Sequence, residues 1–239
     1  MVKSEETVVS VCLITYNHVR FIRDAIESIL KQQADFYWDI FIADDCSTDG
    51  TTQIVKEYAT KYPGKIKLVT HHHNVGLHQN FIDLFTAPQS RYIAFLDGDD
   101  VWTDPLRLQK QVAFLEQHPE YVMVYGKHAL MDEAGNEKPF KKRPPYKSGF
   151  IFTDIMMSRF LPPMAAALMR NSEVKKVYKN KTEPGIDFYL IASLCKNGKV
   201  AYMDEIFFCY RMNAASITNS QRGNMSGTYL NVMRCFEKE

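Results

Sequence analysis

The chain has no apolar run of 18 or more residues, so nothing in it reads as a membrane-spanning helix. Its opening residues, Met1 to Thr7, are polar and lack the apolar core of a signal peptide, so a cytoplasmic location is expected. It has no excess of either charge: the net charge is +1, which argues against a general nucleic-acid binder. The five cysteines form an odd set without a Cys-x-x-Cys pair, so neither a disulfide framework nor a zinc ribbon is expected. Cys12 and Cys209 lie inside apolar runs and read as buried thiols. There is no Gly-x-Ser-x-Gly nucleophile elbow. The first strand ends in Leu13-Ile14-Thr15-Tyr16-Asn17, without the Gly-rich basic loop that a nucleotidyltransferase needs for a triphosphate.

What is present is concentrated at strand ends. Arg91-Tyr92-Ile93-Ala94-Phe95-Leu96 is a buried-strand run, and it ends in Asp97-Gly98-Asp99-Asp100. Carboxylates clustered at a buried strand end need compensation. Asp97 and Asp99 are hard oxygen ligands suited to Mg²⁺ or Mn²⁺ shared with phosphates, and Gly98 leaves room for a ligand or a close backbone approach. Asp100 reads equally well as a turn or cap residue.

The same grammar recurs upstream. Val8–Ile14 is a β-branched strand ending at Thr15, Tyr16 and Asn17, with Asn17 as the expected N-cap of a helix carrying Phe21, Ile22, Ala25, Ile26 and Ile29. Asp39–Ala43 is a second strand, ending at Asp44-Asp45. Ile66–Thr70 is a third, followed by a helix from about Leu77. Strand and helix alternation predicts a mostly parallel sheet flanked by helices on both faces, with ligands at the carboxyl edge, where Tyr16, Asp45 and Asp97 converge. Downstream, a helix through Leu106, Val112 and Leu115 is expected, then strands at 121–126 and 129–132. A turn and strand floor follows at 161–170, a helix opens at Asp187, and 200–204 and 206–211 read as a closing strand pair. A final helix near Tyr229 is expected. Lys138, Lys141, Lys142, Arg143 and Lys147 fall among prolines and read first as an exposed, solvated loop, with a lid or a surface for anionic lipid or phosphate as the alternative. His71-His72-His73 alternate faces on a strand and do not converge on one metal ion. The Asn224-Met225-Ser226 sequon is discounted for a chain without a signal peptide.

The ordered set resembles the family-2 inverting glycosyltransferases of the GT-A fold, of the bacterial surface-polysaccharide type. It is carried by 9–17, 43–51, Asn74-Val75-Gly76-Leu77 with Asn80, 96–100, 185–187 and 210–216. The resemblance implies a single α/β domain over 1–239. It would have a Rossmann-like nucleotide-sugar half at 8–126, a smaller acceptor and catalytic-base half at 127–218 and a tail at 219–239. It implies transfer of a sugar from a UDP-sugar, or another nucleoside-diphosphate sugar, to a glycan or lipid-linked acceptor, at or near the inner face of the membrane. By similarity Thr15, Tyr16 and Asn17 line the nucleotide pocket, with Tyr16 on the base, and Asp45 accepts from the uracil N–H. Asp97 lies near ribose and metal, Asp99 binds Mn²⁺ or Mg²⁺, and Asp187 is the base, with Asp154 and Asp204 as rivals. Arg211 holds the diphosphate or pairs with the metal-site carboxylates. Two departures, Ile186 before the base and Asn213 where a His often stands, leave a non-catalytic nucleotide-sugar-binding relative as the alternative.

Overall fold

The computed structural model describes residues 6–139, 146–158, 161–179 and 187–213. In chain order the elements are β1 (Val9–Thr15), α1 (Ile22–Leu30), β2 (Trp38–Asp44), α2 (Thr51–Lys61), β3 (Ile66–Val69), α3 (Gly76–Thr86), β4 (Tyr92–Asp97) and β5 (Val101–Trp102). They continue with α4 (Arg107–Gln117), β6 (Tyr121–Asp132), β7 (Glu137–Lys138), α5 (Phe152–Ser158), β8 (Ala167–Arg170), α6 (Asn171–Val177), α7 (Asp187–Asn197) and β9 (Lys199–Met212).

All seven residues of β1 are buried, as expected of a central strand covered on both faces. It pairs in parallel with β2 and β4, in a register that sets Thr15 beside Asp44 and Ile14 beside Asp97. The three polar tips are therefore level at one sheet edge. The strand order is β3-β2-β1-β4-β8-β6-β9-β5, with β7 on β6. The half up to β4 is parallel, as the alternation predicted. Beyond it β8 runs antiparallel between β4 and β6. The sheet is mixed α/β, with one contiguous core shared by strands and helices.

Two expected strand pairs are each one long strand. Residues 121–132 form β6, and 199–212 form β9, parallel to it. The register passes from Tyr125 opposite Tyr202 to Lys127 opposite Ile206, so three residues of β9 bulge across from Gly126. A Cβ at Gly126 would come within 2.4 Å of the Phe207 ring and 2.7 Å of the Glu205 carbonyl, so the close approach needs glycine. The Met203-Asp204-Glu205 stretch within 199–212 resembles a break between two strands in the sequence and is a bulge of β9 in the fold.

The wholly buried Arg107 on α4 organises the turn before β8. It donates to the carbonyls of Ala165 and Ala167, to Gln111 Oε1 at 2.9 Å, and stacks 4.0 Å over the Trp102 ring. Its charge is delocalised over carbonyl partners, which makes burial tolerable. The calls on 141–143, 185–186 and 214–239 lie outside the described residues.

Candidate active site

The site is built on the carboxyl ends of β1, β2 and β4. Tyr16 follows β1 and is 45% exposed, an aromatic ring left open at the edge. Thr15 is buried, its hydroxyl 3.2 Å from His18 Nδ1. Asn17 is not a helix cap: α1 begins at Ile22. Its backbone is left-handed (φ 56°), its Oδ1 accepts from the Thr48 N–H at 2.9 Å, and its N–H donates to Ser47 Oγ at 2.8 Å. Asn tolerates this backbone region and gains local hydrogen bonds there. It thus ties the β1 tip to the loop after β2.

Asp45 is buried, and both its oxygens are engaged. Oδ1 accepts from the Val75 N–H at 2.7 Å and Oδ2 from the Gly76 N–H at 2.9 Å, at the start of α3. Its carbonyl accepts from Asn74 Nδ2 at 3.0 Å. The segments 43–51 and 74–80 are therefore one unit. His71 belongs to it through Asn80 Oδ1 at 3.0 Å.

Asp97 is half-buried, while Asp99 and Asp100 are buried. Gly98 has no free space: a Cβ there would meet Thr15 Oγ1 at 2.6 Å and His18 Nδ1 at 2.8 Å. The glycine serves close packing against β1, the second of the two uses expected for it. His18 was not singled out by sequence. Its position next to Asn17 was the available signal, but nothing local indicates that it crosses to Gly98.

Arg211 and Asn213 close the far side. Arg211 is 4% exposed; its N–H donates to Asp100 Oδ1 at 2.8 Å and its Nε to the Asp99 carbonyl at 2.8 Å. Its Nη1 donates to the Glu133 carbonyl at 3.1 Å, its Nη2 faces Asp24 Oδ2 at 3.3 Å, and the guanidinium lies 4.8 Å from the Phe21 ring centre. The guanidinium supports the carboxylate loop from beneath. Asn213 Nδ2 donates to Asp99 Oδ2 at 2.7 Å.

Asp187 opens α7, with its Oδ1 accepting from the Phe188 N–H at 2.7 Å. Its side chain is open to solvent on one side, while the protein around it raises its pKa by burial. Asp97 is pushed well above the usual carboxylate range by burial first, then by Asp99 and then by Asp187. The fold thus brings Asp187 into electrostatic range of the β4 tip from 90 residues away. Asp100 is raised by burial and by Asp97 and Asp99, and only Arg211 opposes this. The rivals are engaged elsewhere. Asp204 pairs with Lys127 at 2.7 Å and Asp154 pairs with Lys147.

Among the described residues, Asp97, Asp99, Asp100 and Asp187 gather at one edge with Arg211 as the cation beside them, its guanidinium mostly directed at carbonyls, which leaves a deficit of positive charge. Among the described residues no group of three or more His, Cys, Asp or Glu forms a ready metal cage. The donor set of Asp97 and Asp99 fits a divalent ion that completes its shell with phosphate oxygens and water.

The model of glycosyl transferase family 2 matches residues 10–175. An uncharacterized protein of Mycobacterium tuberculosis is 32% identical over 213 residues, covering 88% of this chain and 60% of its own length. The chain thus spans about 60% of such mycobacterial relatives. TuaG of Bacillus subtilis, named as a teichuronic acid biosynthesis glycosyltransferase, is 30% identical over 215 residues, covering 89% of this chain and 82% of TuaG. The crystal structure of S. aureus TarS with UDP-GlcNAc superposes with a TM-score of 0.71 at 20% identity, covering 90% of this chain and 61% of that one, which makes the GT-A architecture a shared one. With residues 10–175 matched by the family model and most of its length shared with TuaG, the chain belongs to glycosyl transferase family 2.

Proposed function

We propose that the protein moves a sugar, with inversion, from a nucleoside-diphosphate sugar to a hydroxyl of a glycan or lipid-linked acceptor in surface-polysaccharide or glycoconjugate synthesis. A UDP-sugar is the first choice of donor. The observation that carries this reading is the cluster of Asp97, Asp99 and Asp100 at the carboxyl edge of the sheet, with Asp187 at the start of α7 close enough to Asp97 to help raise its pKa. The UDP-GlcNAc bound by TarS supports a uridine donor, and the naming of TuaG supports a cell-surface product.

Each residue has a distinct task. Tyr16 offers its exposed ring to the base. Asp45 has one amide on each oxygen, which leaves acceptor capacity on both for the uracil N–H. Thr15 and Asn17 shape the pocket through His18 and the 47–48 loop. Asp97 and Asp99 would hold Mn²⁺ or Mg²⁺, which when bound neutralises charge on the departing diphosphate. Asp187 takes the acceptor hydroxyl proton as that oxygen bonds to the anomeric carbon. The bond from the anomeric carbon to phosphate oxygen breaks, and the nucleoside diphosphate leaves with the electron pair. Arg211 and Asn213 act by fixing Asp99 and Asp100. No helix among the described residues is long and apolar enough to cross a membrane. The basic 138–147 stretch is the candidate for contact with the membrane face when the acceptor is lipid-linked.

Calorimetric titration with UDP, dTDP, GDP and CMP, each with and without Mn²⁺, tests the donor site. Metal-dependent UDP binding that is lost in Asp99→Ala is expected. Absence of nucleotide binding under every condition overturns this reading.

A further inference from the structure

A second constellation stands on the same sheet face as Asp97. Ala94 and Val124 both pair with Leu168, and Val124 pairs with Ala201. Residues level with one another share a face and their neighbours share the other, so Phe95, Asp97, Tyr125 and Tyr202 point the same way. That face is also the one covered by α7, because the Tyr125 hydroxyl lies within range of Cys195. Two to three strand spacings separate β4 from β6 and β9, roughly 10–14 Å.

Here three tyrosines meet. The Tyr125 hydroxyl donates to the Lys147 carbonyl at 2.6 Å and accepts from the Lys147 N–H at 2.9 Å. This fixes the segment before α5 so that Tyr146 lies parallel on Tyr202, with ring centres 4.9 Å apart and planes at 3°. Both rings are half-buried, and Tyr125 sits behind them 5.6 Å from Tyr202. The β9 bulge opposite Gly126 turns Asp204 outward, where it accepts from the Tyr202 hydroxyl and from Lys127 Nζ at 2.7 Å. The Asp204 side chain is 79% exposed.

A clasp for 146–148 is already complete with the Tyr125 hydroxyl and with Ser148 Oγ, which accepts from the Tyr202 N–H at 2.9 Å. Beside this clasp stand the paired rings and an outward acid with a lysine next to it. Those features match a pyranose, which presents an apolar C–H face to aromatic rings and hydroxyls to a carboxylate and an ammonium.

We propose that Tyr146 and Tyr202, with Asp204 and Lys127, form an acceptor subsite for a sugar ring one or two units away from the attacking hydroxyl. The proposal rests on the transfer reading above and adds to it that the acceptor is an oligosaccharide extending over β6 and β9.

Saturation-transfer NMR with cellobiose, chitobiose and lactose, in the presence of UDP and Mn²⁺, tests it on the whole chain. The wild type is expected to transfer saturation to the ring protons of at least one disaccharide. Tyr146→Ala and Asp204→Asn are expected to weaken that binding roughly three- to tenfold, and Tyr146→Phe to retain it. Thermal unfolding controls for folding, and Asp204→Asn on the exposed surface keeps the test valid if Tyr146→Ala does not fold. Absence of disaccharide contact in the wild type, or unchanged binding in Asp204→Asn and a folded Tyr146→Ala, overturns the subsite. UDP titration of the same samples separates the two readings: UDP binding without saccharide binding overturns the subsite alone, and loss of UDP binding in the wild type overturns the donor site.

Discussion

Arg211 meets Asp99 through the backbone: its Nε donates to the Asp99 carbonyl at 2.8 Å, while the Asp99 carboxylate is held by Asn213 at 2.7 Å. The loop is thus fixed at both its main chain and its side chain, and the Asp99 carboxylate is not neutralised by the arginine. A fork of fixed donors satisfies Asp99, Glu133 and Asp24 at once.

Lysine keeps the charge at this position but not the fork. Arg211→Lys is expected to lower stability by about 2–4 kcal/mol, the scale of a broken buried polar network. It should also weaken metal-dependent UDP binding. Thermal unfolding and the nucleotide titration read both effects. An unchanged melting temperature would show that the network is dispensable.

Gly98→Ala tests the packing between the first and fourth strands. Gly98 is not in the left-handed region, so the obstacle is contact with Thr15 and His18 alone. Overpacking of this kind costs about 1–3 kcal/mol and would displace Asp97 and Asp99 relative to β1. We expect a loss of metal-dependent nucleotide binding larger than the loss of stability. Adding His18→Ala should restore part of it, since the His18 contact is then removed while the Thr15 contacts remain. Equal binding by Gly98→Ala and wild type would mean that the loop moves without consequence.

Asp187→Asn should reduce transfer by about 10²–10⁴-fold, the usual range for a removed general base, while UDP binding persists. The asparagine keeps the size of the side chain, and its amide oxygen can still accept from the Phe188 N–H. Full transfer by this variant would move the role to Asp204 or Asp154, each of which is ion-paired to a lysine here.

The parallel half of the fold was legible because its signals are local. Val8–Ile14, Asp39–Ala43 and Tyr92–Leu96 are short apolar runs closed by polar tips, and parallel pairing of such runs aligns the tips. The antiparallel half was less so. The short β8 between β4 and β6, and the bulge of β9 at Gly126, depend on long-range register that composition does not encode. Asn17 misled for a related reason. An Asn before an apolar helical stretch looks like a cap, but here its side chain meets the backbone of Thr48, 31 residues away. The carboxylates at the site were visible as residues. What holds them, Arg211 at the backbone of Asp99 and His18 against Gly98, appears only when the strands are laid together.

His128 on β6 gives a pH dependence whose sign is set by burial. Its ring stacks on Phe208 at 5.4 Å, and burial lowers its pKa from 6.5 to about 4. The folded state therefore favours the neutral ring, whereas the unfolded chain protonates near 6.5. Above that pH the two states hold the same number of protons on this residue, and its stabilising contribution is fully present. As pH falls from 6.5 toward 4 the unfolded state takes up the proton and the folded state resists it, so stability declines by up to about 3 kcal/mol. Below about 4 the folded ring also protonates and the decline from this residue ends. Urea unfolding of the wild type and His128→Phe in parallel between pH 7 and 5 isolates the effect, because the other groups that titrate in that window, the raised Asp97, Asp100 and Asp187 among them, are common to both proteins. His128→Phe, which can keep the stack on Phe208, should flatten the profile there. Parallel profiles of the wild type and His128→Phe from pH 7 to 5 would mean that the ring gains solvent or a partner on protonation that offsets its burial.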